Sequence, residues 1–68
     1  MNFILNGEPF ELTEGNLSLS GMLQQQQIDA TRGMALAVND QVIPKSEWDH
    51  YQVSENDKIL IIKATQGG

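Results

Sequence analysis

The chain has 68 residues, 40% hydrophobic and 19% charged, which is enough for one domain with one core. Nine acidic and four basic residues give a net charge of −5, which argues against nucleic acid and favours basic protein partners. The chain has no cysteine, no secretion signal and no membrane-spanning apolar run, so we expect a soluble, cytoplasmic protein with no membrane partner.

The first segment predicts a β-hairpin. Phe3–Leu5 is a short β-rich run, Asn6-Gly7 supplies a tight hairpin turn, and Pro9–Thr13 alternates apolar and polar residues. Glu14–Asn16 breaks the second strand. The chain therefore opens with two antiparallel strands.

A helix is predicted to follow this hairpin. Ser18 is suited to be its N-cap, because the hydroxyl can accept a hydrogen bond from the first turn. The apolar residues that follow have the spacing of one helical face: Leu19, Met22, Leu23 and Ile28. We expect Thr31–Gly33 to close the helix.

Three strands are predicted after the helix. Met34–Val38 is the third strand, Asn39-Asp40 is a turn, and Gln41–Ile43 is a short fourth strand because Pro44 cannot continue it. Ser46–Trp48 is predicted to form one helical turn. After a turn at Asn56-Asp57, the chain continues into its most apolar strand, Lys58–Lys63.

These elements predict an α+β fold of order ββαβββ. A strand as apolar as the last one usually lies in the middle of a sheet, here parallel to the first strand. The arrangement is the ubiquitin-like β-grasp, a mixed sheet of four to five strands packed on one helix. Propensity alone supports only one helical layer on one sheet. We expect the domain to span residues 1–64 and a flexible C-terminal tail to span 65–68.

The expected core lies between the helix and the sheet. It contains these residues: Phe3, Leu5, Leu12, Leu19, Leu23, Leu36, Val38, Ile59 and Ile61. We expect Trp48 to cover this core rather than to bind a partner. Asp49–Tyr51 are neighbours along the chain that do not converge on one substrate, so we expect neither a catalytic residue nor a metal site.

Alternation along the last strand predicts an interaction surface. If Ile59 and Ile61 face the helix, Leu60 and Ile62 face the opposite side of the sheet. The predicted partner-binding patch consists of Ile4, Ala37, Leu60 and Ile62. Apolar side chains gathered at a surface commonly mark an interaction site. The alternative is that the segment around Trp48 covers this face.

The chain ends in Gly67-Gly68, which by chance occurs in about one chain in 200. A frayed end is the simplest reading of this pair. In the predicted fold, however, the tail projects from the domain and can enter a narrow channel in another protein. Glycine suits that role because it has no Cβ and leaves its carbonyl carbon unshielded.

Several segments together resemble a known family over the full length of the chain. They are the hairpin Phe3–Leu12, the helix after Gly15, Ala35–Asn39 with Val42–Pro44, Trp48, Asp57–Leu60 and Gly67-Gly68. The chain resembles the ThiS family, the sulfur carriers of thiamine biosynthesis. The run Ala35–Asn39, Val42–Pro44 and Trp48 is more specific than the diglycine, which other ubiquitin-like proteins share.

The resemblance implies a protein cosubstrate rather than an enzyme. It implies that an E1-like adenylyltransferase uses ATP to adenylate the carboxylate of Gly68, with Gly67 and Gly68 threaded into its site. A sulfur donor protein then produces a thiocarboxylate, which thiazole synthase consumes. The carrier itself binds no cofactor and is expected to be a monomer alone. Two alternatives stay open: the small subunit of molybdopterin synthase, and a noncovalent ubiquitin-like interaction module.

Overall fold

A computed structural model describes residues 1–12, 17–29 and 33–63 of the chain. Its elements are β1 (Asn2–Leu5), β2 (Glu8–Glu11), α1 (Leu19–Gln25), β3 (Met34–Val38), β4 (Gln41–Ile43), a 3₁₀ turn (Lys45–Glu47) and β5 (Lys58–Lys63). The five strands form one sheet in the order β2-β1-β5-β3-β4. Strands β1 and β5 are parallel, and the other neighbours are antiparallel. The predicted central position of the last strand is therefore confirmed.

The opening hairpin forms at the predicted turn. Asn6 and Gly7 have φ angles of 52° and 81°, as the tight turn favoured in two-residue hairpins requires at both positions. The predicted second strand, Pro9–Thr13, is shifted along the chain. Strand β2 begins one residue earlier and ends at Glu11, and position 13 lies outside the described residues.

Helix α1 begins where the sequence predicts. The Ser18 hydroxyl accepts a hydrogen bond of 3.0 Å from the backbone N–H of Gly21, which confirms Ser18 as the N-cap. The buried side of the helix carries the predicted apolar residues Leu19, Met22 and Leu23. The helix has seven residues and therefore depends on this packing for its stability.

The predicted end of the helix at Thr31–Gly33 is wrong. The helix closes earlier with a Schellman motif, in which Gln27 is left-handed with φ 58°. The Gln27 N–H donates to the carbonyl of Gln24, and the Ile28 N–H donates to that of Leu23. Ile28 thus lies beyond the helix, partly buried against the core. Positions 31 and 32 lie outside the described residues.

The core between the helix and the sheet is close to the predicted one. Its buried members from the predicted set are Phe3, Leu5, Leu19, Leu23, Leu36, Val38 and Ile59. Leu12 and Ile61, predicted to be core residues, are only partly buried. The core also includes Leu17, Met22, Met34, Ile43, Trp48 and Val53. Side chains from the helix, from the sheet and from the connecting segments therefore form one core.

Trp48 covers the core, as predicted. Its side chain is 3% exposed, and its Nε1–H donates to the carbonyl oxygen of Ile43 at 2.8 Å. It follows the 3₁₀ turn directly, so the predicted helical turn Ser46–Trp48 is displaced by one residue. The Ser20 N–H donates to the Trp48 carbonyl, and the Leu19 N–H donates to that of Tyr51. The segment after β4 is therefore attached to α1.

Candidate functional site

Strand β5 exposes apolar side chains on the face of the sheet that points away from α1. Leu60 is 51% exposed and Ile62 is 42% exposed. Ile59, the residue before Leu60, is buried. Since side chains alternate along a strand, burying Ile59 against the helix leaves Leu60 on the outer face. The predicted orientation of β5 therefore agrees with the structure.

The neighbouring strands complete an open groove around these side chains. Ala37 of β3 is paired with Leu60 on one side and with Val42 of β4 on the other. Ile4 of β1 contributes from the opposite edge, and the groove has a volume of about 650 Å³. Two charged side chains, Asp40 and Lys58, also line it. We call this feature the β5 groove.

One predicted member of the patch differs in exposure. Ala37 was expected at the surface, but it is 7% exposed because its single methyl group lies between Leu60 and Val42. It forms the floor of the groove. Ile4 is half-buried, so the groove is most exposed along β4 and β5.

Val42 belongs to this surface and was missed by sequence reasoning. It is the most exposed large apolar side chain among the described residues, at 60%. The alternation of β4 contains the signal, since Ile43 is buried and Val42 must therefore face outward. A three-residue strand next to Pro44 has too short a pattern to show this without its pairing partner Ala37.

The alternative that the Trp48 segment covers the outer face is wrong. Trp48 and Tyr51 make backbone hydrogen bonds to the N-terminal turn of α1, on the opposite side of the sheet. Leu60 and Ile62 consequently stay exposed. The groove is therefore accessible to another molecule in this structure.

The start of β5 is fixed by a network of side-chain hydrogen bonds. The Asn39 amide donates to Asp57 Oδ1 at 3.0 Å, and its oxygen accepts from the Lys58 N–H at 3.0 Å. The other oxygen of Asp57 accepts from the Ser54 N–H at 2.7 Å. This buried side chain is thus hydrogen-bonded on both oxygens, as burial of a polar group requires. The network holds Asp57 and Lys58 at the start of β5, two residues before Leu60.

The segment Asp49–Tyr51 lies beside α1 and not in the β5 groove. Asp49 and His50 are exposed, and Asp49 accepts a hydrogen bond from the Ser20 hydroxyl. Across the described ranges 1–12, 17–29 and 33–63, no group of three acidic or histidine side chains is placed to hold a metal ion. In the same ranges no helix is long and apolar enough to span a membrane. The predicted tail, residues 65–68 with Gly67 and Gly68 at its end, lies outside the described residues.

The chain is similar to known proteins both in sequence and in fold. The sequence model of the ThiS family matches residues 3–68, which includes both the β5 groove and the terminal diglycine. This chain belongs to the ThiS family. It is 29% identical to the sulfur carrier protein ThiS of Escherichia coli strain K12, and the similarity covers all of both chains.

Solved structures of a ThiS-family protein have the same fold. The crystal structure of the thiamine biosynthesis protein ThiS from Geobacter metallireducens superposes with a TM-score of 0.86 at 20% identity, covering all of both chains. A solution NMR structure of a thiamine biosynthesis protein from that organism has a TM-score of 0.76, at 20% identity and covering 88% of that chain. These likenesses confirm the predicted ubiquitin-like β-grasp class.

Proposed function

We propose that this protein is the sulfur carrier for the thiazole moiety of thiamine, with the carboxylate of Gly68 as its working group. The family match through residue 68 is the observation that carries this proposal. The relative from E. coli, named a sulfur carrier protein, also aligns with this chain over the full length of both. The carrier is a cosubstrate that other proteins modify, rather than an enzyme.

The chemistry proceeds in two steps on the terminal carboxylate. A carboxylate oxygen of Gly68 attacks the α-phosphorus of ATP held by an E1-like adenylyltransferase, and pyrophosphate leaves. Hydrosulfide supplied by a sulfur donor protein then attacks the carbonyl carbon through its sulfur, AMP leaves with the electrons of the broken C–O bond, and the S–H proton is lost to solvent. The product is a thiocarboxylate, from which thiazole synthase takes the sulfur.

Gly67 and Gly68 suit the entry of the tail into a partner. Glycine has no Cβ, so its backbone can approach another backbone closely. Gly68 follows the last residue of β5, Lys63, by five positions. Five residues span roughly 17 Å at full extension. The partner's nucleotide site must therefore lie within this distance of the end of β5 in the complex.

The β5 groove is the surface we assign to partner docking. Its predicted members Ile4, Ala37, Leu60 and Ile62, together with Val42, are the apolar lining of a groove around β5, the strand that leads to Gly68. Docking there directs the tail toward the partner's nucleotide. The net charge of −5 favours a basic rim on that partner, which accelerates the encounter more than it prolongs the complex.

We place the reaction in the cytoplasm. The test combines the full chain with the E1-like adenylyltransferase of the same cell, and with thiazole synthase as the final acceptor of the sulfur. We expect ATP–pyrophosphate exchange that depends on the carrier. With a sulfur donor added, intact-mass spectrometry should detect one oxygen replaced by sulfur. A carrier that supports no exchange, and stays a carboxylate in its own cell, would contradict the proposal.

A further inference from the structure

Asn6 makes hydrogen bonds to β5 on both sides of Leu60. The backbone N–H of Asn6 donates to the carbonyl oxygen of Ile59 at 2.9 Å. Its side-chain oxygen accepts from the backbone N–H of Ile61 at 2.8 Å. One turn residue therefore holds the two peptide units that flank Leu60.

The position of Asn6 gives these bonds a role at the end of the parallel pairing. The register of β1 with β5 ends at Leu5 opposite Ile59. On the other side, β5 stays paired with β3 as far as Lys63. The Asn6 side chain thus adds one more hydrogen bond on the β1 side of β5, at Ile61, beyond the last paired residues of the two strands.

The conformation of Asn6 explains why the side chain can reach this far. Its φ of 52° is left-handed, a region that asparagine tolerates better than most residues. The turn directs the chain back into β2, while the amide group of Asn6 lies beside β5. A glycine at this position would keep the turn and the backbone bond but would lose the acceptor for Ile61.

We infer that Asn6 is a positioning residue for partner docking, an inference that rests on the proposed function. By holding the backbone at Ile59 and Ile61, it fixes the direction in which the Leu60 side chain points along the wall of the β5 groove. It also fixes the course of β5 just before Ile62 and the tail. Asn6 acts through β5 and need not touch the partner itself.

Two substitutions at this position test the inference in carrier-dependent ATP–pyrophosphate exchange. Asn6→Gly removes the acceptor, and we expect the KM of the adenylyltransferase for the carrier to rise about 2- to 10-fold, the range that one hydrogen bond supports. The kcat at saturating carrier should change little. Asn6→Asp restores an acceptor oxygen in a residue that also tolerates this conformation, so its KM should return toward that of the natural protein.

A matched control accounts for the entropic cost of glycine. Asn56 is also left-handed, with φ 67°, and is exposed. Asn56→Gly therefore introduces the same flexibility in another turn, and its KM should match that of the natural protein. All variants are compared well below their unfolding temperatures, measured by circular dichroism.

Amide hydrogen exchange supplies a readout that partner contact alone would not change. The Ile61 N–H should exchange faster in Asn6→Gly than in the natural protein and in Asn6→Asp. An unchanged KM in Asn6→Gly overturns the inference while the proposed function stands. A raised KM with unchanged Ile61 exchange also overturns it, because Asn6 would then act by direct contact. If the natural protein supports no ATP–pyrophosphate exchange, the proposed function itself fails.

Discussion

Leu60 of β5 is paired with Ala37 of β3 on the outer face of the sheet, and the same alanine is paired with Val42 of β4. An alanine between two larger apolar side chains leaves a depression, so this part of the sheet has a groove and not a ridge. The next residue toward the N-terminus, Leu36, points to the opposite face and into the core. Adjacent positions on β3 therefore serve the surface and the core separately.

Leu36→Ala should destabilise the domain by about 2–5 kcal/mol, because Leu36 is fully buried and truncation leaves a cavity. A 68-residue domain has a total stability of about 3–10 kcal/mol, so the variant should unfold at much lower urea concentration or be unfolded without it. Val42→Ala, at an exposed site on the next strand, is the control and should change stability by less than about 1 kcal/mol. Equal urea midpoints for both variants would contradict the assigned register of β3.

Trp48→Phe should lower the free energy of unfolding by about 1–3 kcal/mol, because the carbonyl of buried Ile43 loses the donor Nε1–H. In a domain of this size each kcal/mol shifts the unfolding temperature by about 4–8 °C. Thermal unfolding followed by circular dichroism measures the change. Tyr51→Phe, which alters a half-buried aromatic in the same segment, should have a smaller effect. A Trp48→Phe variant as stable as the natural protein would mean that this hydrogen bond contributes nothing.

Local signals explain which elements could be predicted from the sequence. Asn6-Gly7 and Asn39-Asp40 favour left-handed turns, and both turns form between strands as expected. Strand β3 and strand β5 have the predicted bounds because each contains a continuous apolar run that follows a turn. Ser18 caps α1 through a bond to its own first turn. All of these depend on neighbours along the chain.

The features that sequence reasoning missed depend on contacts between distant residues. The helix ends at Gln25 and is closed by left-handed Gln27, although glycine is the usual residue at that position of a Schellman motif. Its closure depends on Ile28 packing against the core. Likewise, the low exposure of Ala37 comes from Leu60 and Val42 on two other strands. No local pattern contains this information.

Deleting Gly68 should abolish adenylation, although Gly67 would then supply a terminal glycine carboxylate. One residue fewer shortens the reach of the tail by about 3.3–3.6 Å, which exceeds the tolerance of in-line attack on the α-phosphorus. ATP–pyrophosphate exchange measures adenylation, and circular dichroism should detect no change in the fold. Gln66→Ala retains the length and both glycines, so it should still be adenylated. Normal adenylation and thiolation of the shortened chain would refute the assignment of Gly68.

Ile62→Glu should weaken binding to the adenylyltransferase by about tenfold or more, while the circular dichroism spectrum stays nearly unchanged. Ile62 is 42% exposed on the outer face, so glutamate is accommodated in the free protein. In the complex, the same position would place a charge against an apolar partner surface, where burial of an unpaired charge is costly. Isothermal titration calorimetry with the purified adenylyltransferase measures the affinity.

Ser46→Glu is the matched control for this last experiment, because it adds the same charge at an exposed position of the 3₁₀ turn, outside the β5 groove. Its affinity should stay close to that of the natural protein, since a single added surface charge changes binding mainly through the rate of encounter. Equal losses in both variants would indicate a general effect of negative charge. An unaltered affinity in Ile62→Glu would mean that the adenylyltransferase recognises a different surface, and the β5 groove would lose its assigned role.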